Sequence, residues 1–480
     1  MEFHGNPRKW IIVLLCVIVV FLVFHAYVLS PLLLGKDGHL PSGNSEVLFT
    51  SFLDSSRVGV ATNIASNKSS HCTFMPAQLL PLRELPNCFY MFKVTVINVV
   101  RLICEAKHWK WKVMTNNSYI MQRLGELISA RDTLFIVHDS STVFKVDFFK
   151  NITKSKHVLI SSISKAHIVT GTKQSQIVYS RKLAESFGCT LDQLNFFPKS
   201  FLASEVKDCS DFHYYISKRP HSSWIVKPYS GITGKGIEIY PRVPALLERF
   251  KDCGKKHDTK HYVIQEYLPN LLLVNGRKFD IRAYILIART NPYFLYYYPG
   301  YLRVAVKRLS EEGGREVHLT HTHIQEKIEG FTLEDHIWTF ENFQQYISNI
   351  SSNNDQFVKT KLEPIIKQTG LFLLQVGLGT FERLPATYLL LGLDFMVTSD
   401  YHVWFIEANH TPMWPSFASD SYTMGSDMLD LVIEIHSSPE KFVNSQPGEK
   451  YGSWELVYNE LLANCSGYQY NPCRDFPIQS

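Results

Sequence analysis

Three oxygen-bearing side chains near the C-terminal end, Asp394, Glu407 and Asn409, have the type and spacing to hold a hard divalent cation. Asp394 lies in Leu393-Asp394-Phe395-Met396-Val397; Glu407 and Asn409 stand two apart in Trp404-Phe405-Ile406-Glu407-Ala408-Asn409. Residues two apart on a strand share a face. Carboxylates set among Leu393, Phe395, Trp404 and Phe405 are costly without a neutralising cation. Hard oxygen donors of this kind suit Mg²⁺ beside nucleotide phosphates. A buried ion pair with lysine or arginine would satisfy the same carboxylates, so the residues alone leave both readings open.

A second group could hold phosphate. Lys227 ends the apolar run Trp224-Ile225-Val226-Lys227-Pro228, where an ammonium is poorly solvated unless an anion pairs with it. Gly231, Gly234 and Gly236 follow, with Lys235 among them, and their backbone amides could close over phosphate oxygens. The Gly-Lys-Ser/Thr ending of a P-loop is absent. A snorkelling surface lysine and an ordinary hairpin loop are the plainer readings. Val263-Ile264-Gln265-Glu266-Tyr267-Leu268 reads as a buried strand with a polar end, able to bond an adenine edge. In Arg277-Lys278-Phe279-Asp280-Ile281-Arg282, alternation sets Lys278, Asp280 and Arg282 on one face. A solvated sheet face would show the same pattern. Arg303, in Tyr301-Leu302-Arg303, adds a guanidinium to this set.

Such residues need strands to aim them. Trp224–Pro228 and Ile237–Tyr240 read as partners across the glycine loop, followed by a helix over Pro244–Cys253 and a strand over His261–Tyr267. Phe279–Arg289 and Tyr293–Tyr298 form an antiparallel pair, then Tyr301–Val306. Leu333–Ile347 and Val358–Leu374 read as helices, Leu389–Val397 and His402–Ala408 as a hairpin, and Met428–Ile435 as the last helix. Upstream, Thr133–Val137 and His157–Ile163 look like strands and Tyr179–Phe187 like a helix.

The 480-residue chain has 45% hydrophobic residues, a globular composition, and its net charge of +5 gives no reason to expect nucleic acid. Ile11 to Leu29 is apolar apart from His25, long enough for a single-pass anchor, with a signal peptide and a buried helix as alternatives. Of nine cysteines, Cys16 falls in this run and the other eight are compatible with disulfides. Glycosylation sequons occur at Asn67, Asn116, Asn151, Asn349, Asn409 and Asn464. The compartment stays open. The expected organisation is a short segment 1–9, an anchor 10–29, a stalk 30–90, an N-terminal α/β subdomain 91–200, a central subdomain 201–290, a C-terminal subdomain with the metal site 291–436, and a loosely ordered tail 437–480.

Together, Trp224-Ile-Val-Lys-Pro, Val263-Ile-Gln-Glu-Tyr-Leu, Arg277-Lys-Phe-Asp-Ile-Arg, Tyr301-Leu-Arg, His318-Leu-Thr and Leu391-Gly-Leu-Asp-Phe-Met-Val through Glu407-Ala-Asn resemble the tubulin–tyrosine ligase family. These are ATP-grasp enzymes that add amino acids to tubulin tails. The likeness covers about residues 95–435. It implies an α/β (α+β) ATP-grasp fold. It implies ATP bound by Lys227, Gly234, Lys235, Gly236, Gln265, Glu266, Tyr267, Leu268, Lys278 and Asp280, and Mg²⁺ held by Asp394, Glu407 and Asn409. It gives Arg282, Arg303 and Lys278 catalytic roles, and puts Arg282, Arg303, Thr320 and His321 at the substrates. The implied reaction activates an acceptor carboxylate as an acyl phosphate, which the amine of a free amino acid then attacks. The implied partner is the tubulin C-terminal tail, with the body cytoplasmic. A lumenal ligase for another protein and an inactive binding module are the rivals. Three positions depart from the pattern: His321 replaces the asparagine of Leu-Thr-Asn, His410 replaces a small residue, and Thr233 replaces a basic one.

Overall fold

The computed structural model describes residues 87–90, 97–113, 135–138 and 158–476, apart from 232–233, 256–260, 311–313, 411 and 415–417. In the N-terminal part, β1 (Asn87–Tyr90) pairs in parallel with β2 (Lys110–Val113), with α1 (Ile97–Ala106) between them in sequence. β3 (Phe135–His138) pairs in parallel with β4 (Val158–Ser161). Parallel neighbours need a crossover, which α1 supplies for the first pair. Helix α2 (Lys173–Ser186) starts where the Thr172 hydroxyl accepts from the Ser175 amide.

The central part is an antiparallel sheet. It contains β5 (Ser200–Leu202), β6 (Trp224–Pro228), β7 (Glu238–Tyr240) and β8 (Tyr262–Glu266), in the spatial order β5-β8-β6-β7. Helices α3 (Val206–Ser217) and α4 (Val243–Phe250) belong to the same unit. Strand alternation divides β6 between two environments. Trp224 and Val226 join Phe212, Ile216, Leu246 and Phe250 in a buried cluster, while Ile225 and Lys227 line a cavity.

The larger sheet is built on the long hairpin of β9 (Arg277–Thr290) and β10 (Tyr293–Arg308). Then come β11 (Ile337–Thr339), α5 (Phe340–Ile350), α6 (Glu363–Leu378), β12 (Leu389–Val397), β13 (Val403–Asn409), α7 (Ala418–Ser437), β14 (Lys450–Tyr451) and β15 (Trp454–Asn459). The order is β13-β12-β9-β10-β15-β14, with β11 also on β10. Ile281, Ala283, Ile285 and Ile287 of β9 face a core shared with Phe343, Ile366 and Phe372 of α5 and α6. Tyr284, Leu286 and Ala288 face Met424, Met428 and Leu431 of α7. At the start of β9 this second face changes character, and Lys278, Asp280 and Arg282 line the cavity instead.

Several expectations need correction. The single-pass membrane protein does not stand: among the described residues no helix is long and apolar enough to cross a membrane. Residues 10–29 lie outside the described residues, as does most of the expected stalk, whose last four residues form β1. The single helix over Leu333–Ile347 is a short helix, Leu333–His336, then β11 and α5. Ile337-Trp338-Thr339 has the β-branched and aromatic character of a strand, pairs with β10, and ends where the Thr339 hydroxyl accepts from the Asn342 amide to cap α5. The segment after Ser437 is not loosely ordered. β15 pairs with β10, and Cys473 forms a disulfide with Cys189 rather than with nearby Cys465. Cys209 and Cys253 form a second disulfide, and Cys465 is also disulfide-bonded.

Candidate functional site

Cross-strand register brings the charged residues into a row. Asp394 of β12 faces Glu407 of β13 on one side and Arg282 of β9 on the other, and Arg282 in turn faces Tyr301 of β10. One step along, Asp280 faces Arg303. The β12–β13 register shifts between Asp394 and Phe395, an irregularity of the sort that re-aims side chains beside sites. Gly392 makes room for the row: a Cβ there would lie 2.6 Å from Pro412 Cβ and 3.2 Å from Arg282 Cδ.

These side chains meet at a cavity of about 580 Å³ between the two sheets. Lys227, Gly231, Gly234, Lys235, Lys278, Asp280, Arg282, Arg303, Thr320, His321, Asp394, Glu407 and Asn409 all line it. The remaining expected residues lie apart. Gly236 has φ +76° and packs so that a Cβ would meet Pro228 at 2.9 Å, which fixes the turn. Gln265 stands behind Lys227. Glu266, Tyr267 and Leu268 line a second, more open cavity of about 1190 Å³, which shares Ile237, His318 and Leu319 with the first.

Arg282 donates through Nε and Nη2 to both oxygens of Asp394, at 2.5 and 3.0 Å. Arg303 grips Asp280 in the same bidentate way, Nε to Oδ1 at 2.8 Å, and reaches Asp394 at 3.4 Å. Burial pushes the Asp394 carboxyl up, but Arg282 and Arg303 outweigh it and hold the group far below the usual carboxylate range. Asn409 Nδ2 donates to Asp394 Oδ2 at 3.4 Å. Lys173 pairs with Glu407 at 2.9 Å. Burial raises Glu407, and Lys173 with Lys227 brings it below its ordinary value.

Lys227 and Lys278 differ from the arginines. Lys227 donates to Gln265 Oε1 at 2.6 Å, and Gln265 Nε2 donates to Ser200 Oγ. Lys278 donates to the Tyr267 hydroxyl at 3.1 Å, which pairs with His318 Nδ1 at 2.9 Å. Both ammonium groups are buried against neutral partners, and burial lowers each to about 8. Leaving aside the exposed Lys235 and Glu326, five cations and three carboxylates thus converge here. Bidentate pairing matches Arg282 to Asp394 and Arg303 to Asp280, and a single ion pair matches Lys173 to Glu407. Lys227 and Lys278 remain as cations without a carboxylate, which is what an anion-binding site requires. Gly234, with φ +72°, has its carbonyl held by Arg315 Nη2 at 2.5 Å.

The oxygen trio is incomplete without its amide. Among the described residues no group of three or more His, Cys, Asp or Glu side chains is placed to hold a metal ion. Asp394 and Glu407 provide two carboxylates on adjacent strands, and Asn409 provides the third donor on the same face as Glu407. The donor set suits a hard cation. Sequence reasoning missed Lys173 and Gln176, because it began the helix at Tyr179. The Thr172 cap and the Lys173–Gln176 spacing of one helical turn were the available signals. Gln176 Nε2 donates to the Ala408 carbonyl at 2.7 Å and its Oε1 accepts from the Ala408 amide at 2.8 Å, clasping α2 to β13.

A family model described as the tubulin-tyrosine ligase family matches residues 150–445. Tubulin glycylase 3A of Drosophila melanogaster is 26% identical over 254 residues, 51% of this chain and 25% of that protein. Inactive polyglycylase TTLL10 of Homo sapiens is 32% identical over 217 residues, 39% of this chain and 31% of that protein. Probable tubulin polyglutamylase TTLL9 of Mus musculus is 23% identical over 361 residues, 65% of this chain and 75% of that protein. The chain spans 25% and 31% of the first two of these relatives. The family match takes in the central sheet, β9 to β13 of the larger one and every cavity residue from Lys173 to Asn409, and on it the chain belongs to the tubulin-tyrosine ligase family.

Proposed function

We propose that the chain is an ATP- and Mg²⁺-dependent ligase that joins a free amino acid to a carboxylate of an acidic protein tail, with the tubulin C-terminal tail as first acceptor. The two antiparallel sheets facing each other across the cavity fit an ATP-grasp arrangement. The observation that carries the reading is the pair of buried lysines, Lys227 and Lys278, facing the same cavity as the trio Asp394, Glu407 and Asn409. Relatives named as a tubulin glycylase and a probable tubulin polyglutamylase support the acceptor.

Lys227 and Lys278 hold the nucleotide phosphates, aided by Lys235 at the exposed rim. Lys173 exchanges Glu407 for phosphate. Asp394, Glu407 and Asn409 would hold Mg²⁺, which when bound neutralises charge on the transferring phosphoryl group. Arg282 and Arg303 are fixed by Asp394 and Asp280, so their outer faces are preorganised for anionic oxygens of the acceptor and of the tetrahedral intermediate. Asp280 therefore works as the holder of Arg303 rather than as a free nucleotide ligand. Thr320 and His321 stand on the substrate side. Glu266, Tyr267 and Leu268 border the neighbouring cavity, where a base could stack.

The test is ATP-dependent incorporation of labelled glycine, glutamate or tyrosine into tubulin. Lys227→Ala and Arg303→Lys should each lower the rate on the order of 10²–10³-fold. Loss of neither rate nor nucleotide binding in Lys227→Ala would sink the reading. One observation favours another acceptor: the disulfides suit an acidic protein met under oxidising conditions. An inactive module is the reading supported by the guanidinium cover over Asp394 and by the relative named inactive. It predicts nucleotide binding without turnover.

A further inference from the structure

A hydrogen-bonded chain of three side chains runs from one cavity to the other. Lys278 lines the smaller cavity, Tyr267 the larger, and His318 both. Lys278 Nζ donates to the Tyr267 hydroxyl at 3.1 Å and lies 4.8 Å from the centre of its ring. The hydroxyl in turn pairs with His318 Nδ1 at 2.9 Å.

Donor counting fixes the direction of this chain. An ammonium has only donors, so the Tyr267 oxygen accepts from Lys278. Burial raises the Tyr267 hydroxyl well above its ordinary value, so it keeps its proton and has one to give. That proton goes to His318 Nδ1, which acts as the acceptor. Without His318 the hydroxyl proton would lose this partner, and nothing would keep the lone pair of the oxygen turned toward the ammonium.

The three residues come from three separate elements. Tyr267 follows β8 of the central sheet, and Lys278 is the second residue of β9 in the larger one. His318 ends a short helix, Arg315–His318. The buried Gln325 anchors that helix. Its Nε2 donates to the Glu316 and Leu319 carbonyls at 2.8 and 2.6 Å, and its Oε1 accepts from the Val306 amide of β10 at 2.8 Å. One turn before His318, Arg315 holds the Gly234 carbonyl of the glycine loop. The imidazole is thus a fixed point beside a long, flexible lysine, and an ammonium already aimed at its target binds an anion more tightly than one that must first be ordered.

Resting on the ligase reading for the nucleotide, we propose that His318 is a positioning residue of the phosphate site. Acting through the Tyr267 hydroxyl, it aims the Lys278 ammonium into the smaller cavity, so that the side where a base would stack sets the lysine that meets phosphate.

Calorimetric titration of the full chain with Mg²⁺ and a non-hydrolysable ATP analogue tests this. His318→Ala and Tyr267→Phe should each weaken analogue binding about 10-fold, the size of one hydrogen bond to a charged group. The double variant should bind no more weakly than either single one. His318→Asn, whose Oδ1 can stand where Nδ1 stood, should restore most of the affinity. In a Lys278→Met background His318→Ala should change affinity less than about 2-fold, because the group it positions is gone; a purely structural histidine would cost the same in both backgrounds. If His318→Ala does not fold, Tyr267→Phe set against Lys278→Met carries the same comparison. If Lys278→Met binds too weakly to measure, the Tyr267 and His318 pair decides. Native affinity in His318→Ala, or losses that multiply in the double variants, overturns the positioning role and leaves the ligase reading intact. A native chain that does not bind the analogue overturns both.

Discussion

Lys227 and Lys278 determine how the site responds to pH. Burial lowers both to about 8, so both are charged at neutral pH and lose their protons as the pH rises through that value. Nucleotide affinity should therefore be highest below pH 8 and decline above it, and above pH 8 binding should take up protons, because polyphosphate favours the ammonium forms. Calorimetric titration with ATP at pH 7 and pH 9, in buffers of different ionisation enthalpy, reads both effects; constant affinity without proton uptake counts against the assignment. For the unliganded fold the sign is opposite. Between about 8 and the ordinary lysine value the unfolded chain binds more protons, so stability rises with pH across that window. Among single residues, the charged strand positions were legible in the sequence because alternation has a period of two. The bidentate pairing of Arg282 with Asp394 was not, since 112 residues separate them and only the sheet order makes them neighbours.

At the scale of elements, strand β13 is held in place by a helix. Gln176 of α2 satisfies both backbone groups of Ala408, next to Glu407, while Lys173 pairs with Glu407 itself. Gln176→Ala should leave a buried amide and carbonyl unpaired, costing about 1–3 kcal/mol, and should loosen Glu407. The expected result is a lower melting temperature and a smaller upward shift on adding Mg²⁺ and ATP. An unchanged ligand-induced shift would show that the clasp serves stability alone. Strands such as Trp224–Pro228 and Leu389–Val397 were readable to the residue, because long apolar runs have few competing interpretations. The start of α2 was not, because Lys173, Gln174 and Gln176 are polar and the helix is fixed by its cap and its clasp rather than by an apolar stripe.

Over the whole molecule, the C-terminal segment completes the large sheet. Its β15 pairs with β10, and the Cys189–Cys473 bond closes a separation of 284 residues. Polar composition in 437–480 concealed this, because the information lies in pairing with a strand about 160 residues upstream. Cys209–Cys253 ties α3 to the end of α4 over a separation of 44 residues. Each such link contributes about 2–5 kcal/mol, so reduction should lower the denaturation midpoint of the native protein markedly. Denaturant curves with and without dithiothreitol check this, and superimposable curves would refute it.

Those cystines bear on how the protein must be handled. In a thiol-containing assay buffer a chain stapled at Cys189 and Cys209 would be loosened in the very tube meant to reveal turnover. A blank result there reports the solvent's redox state before it reports anything about catalysis.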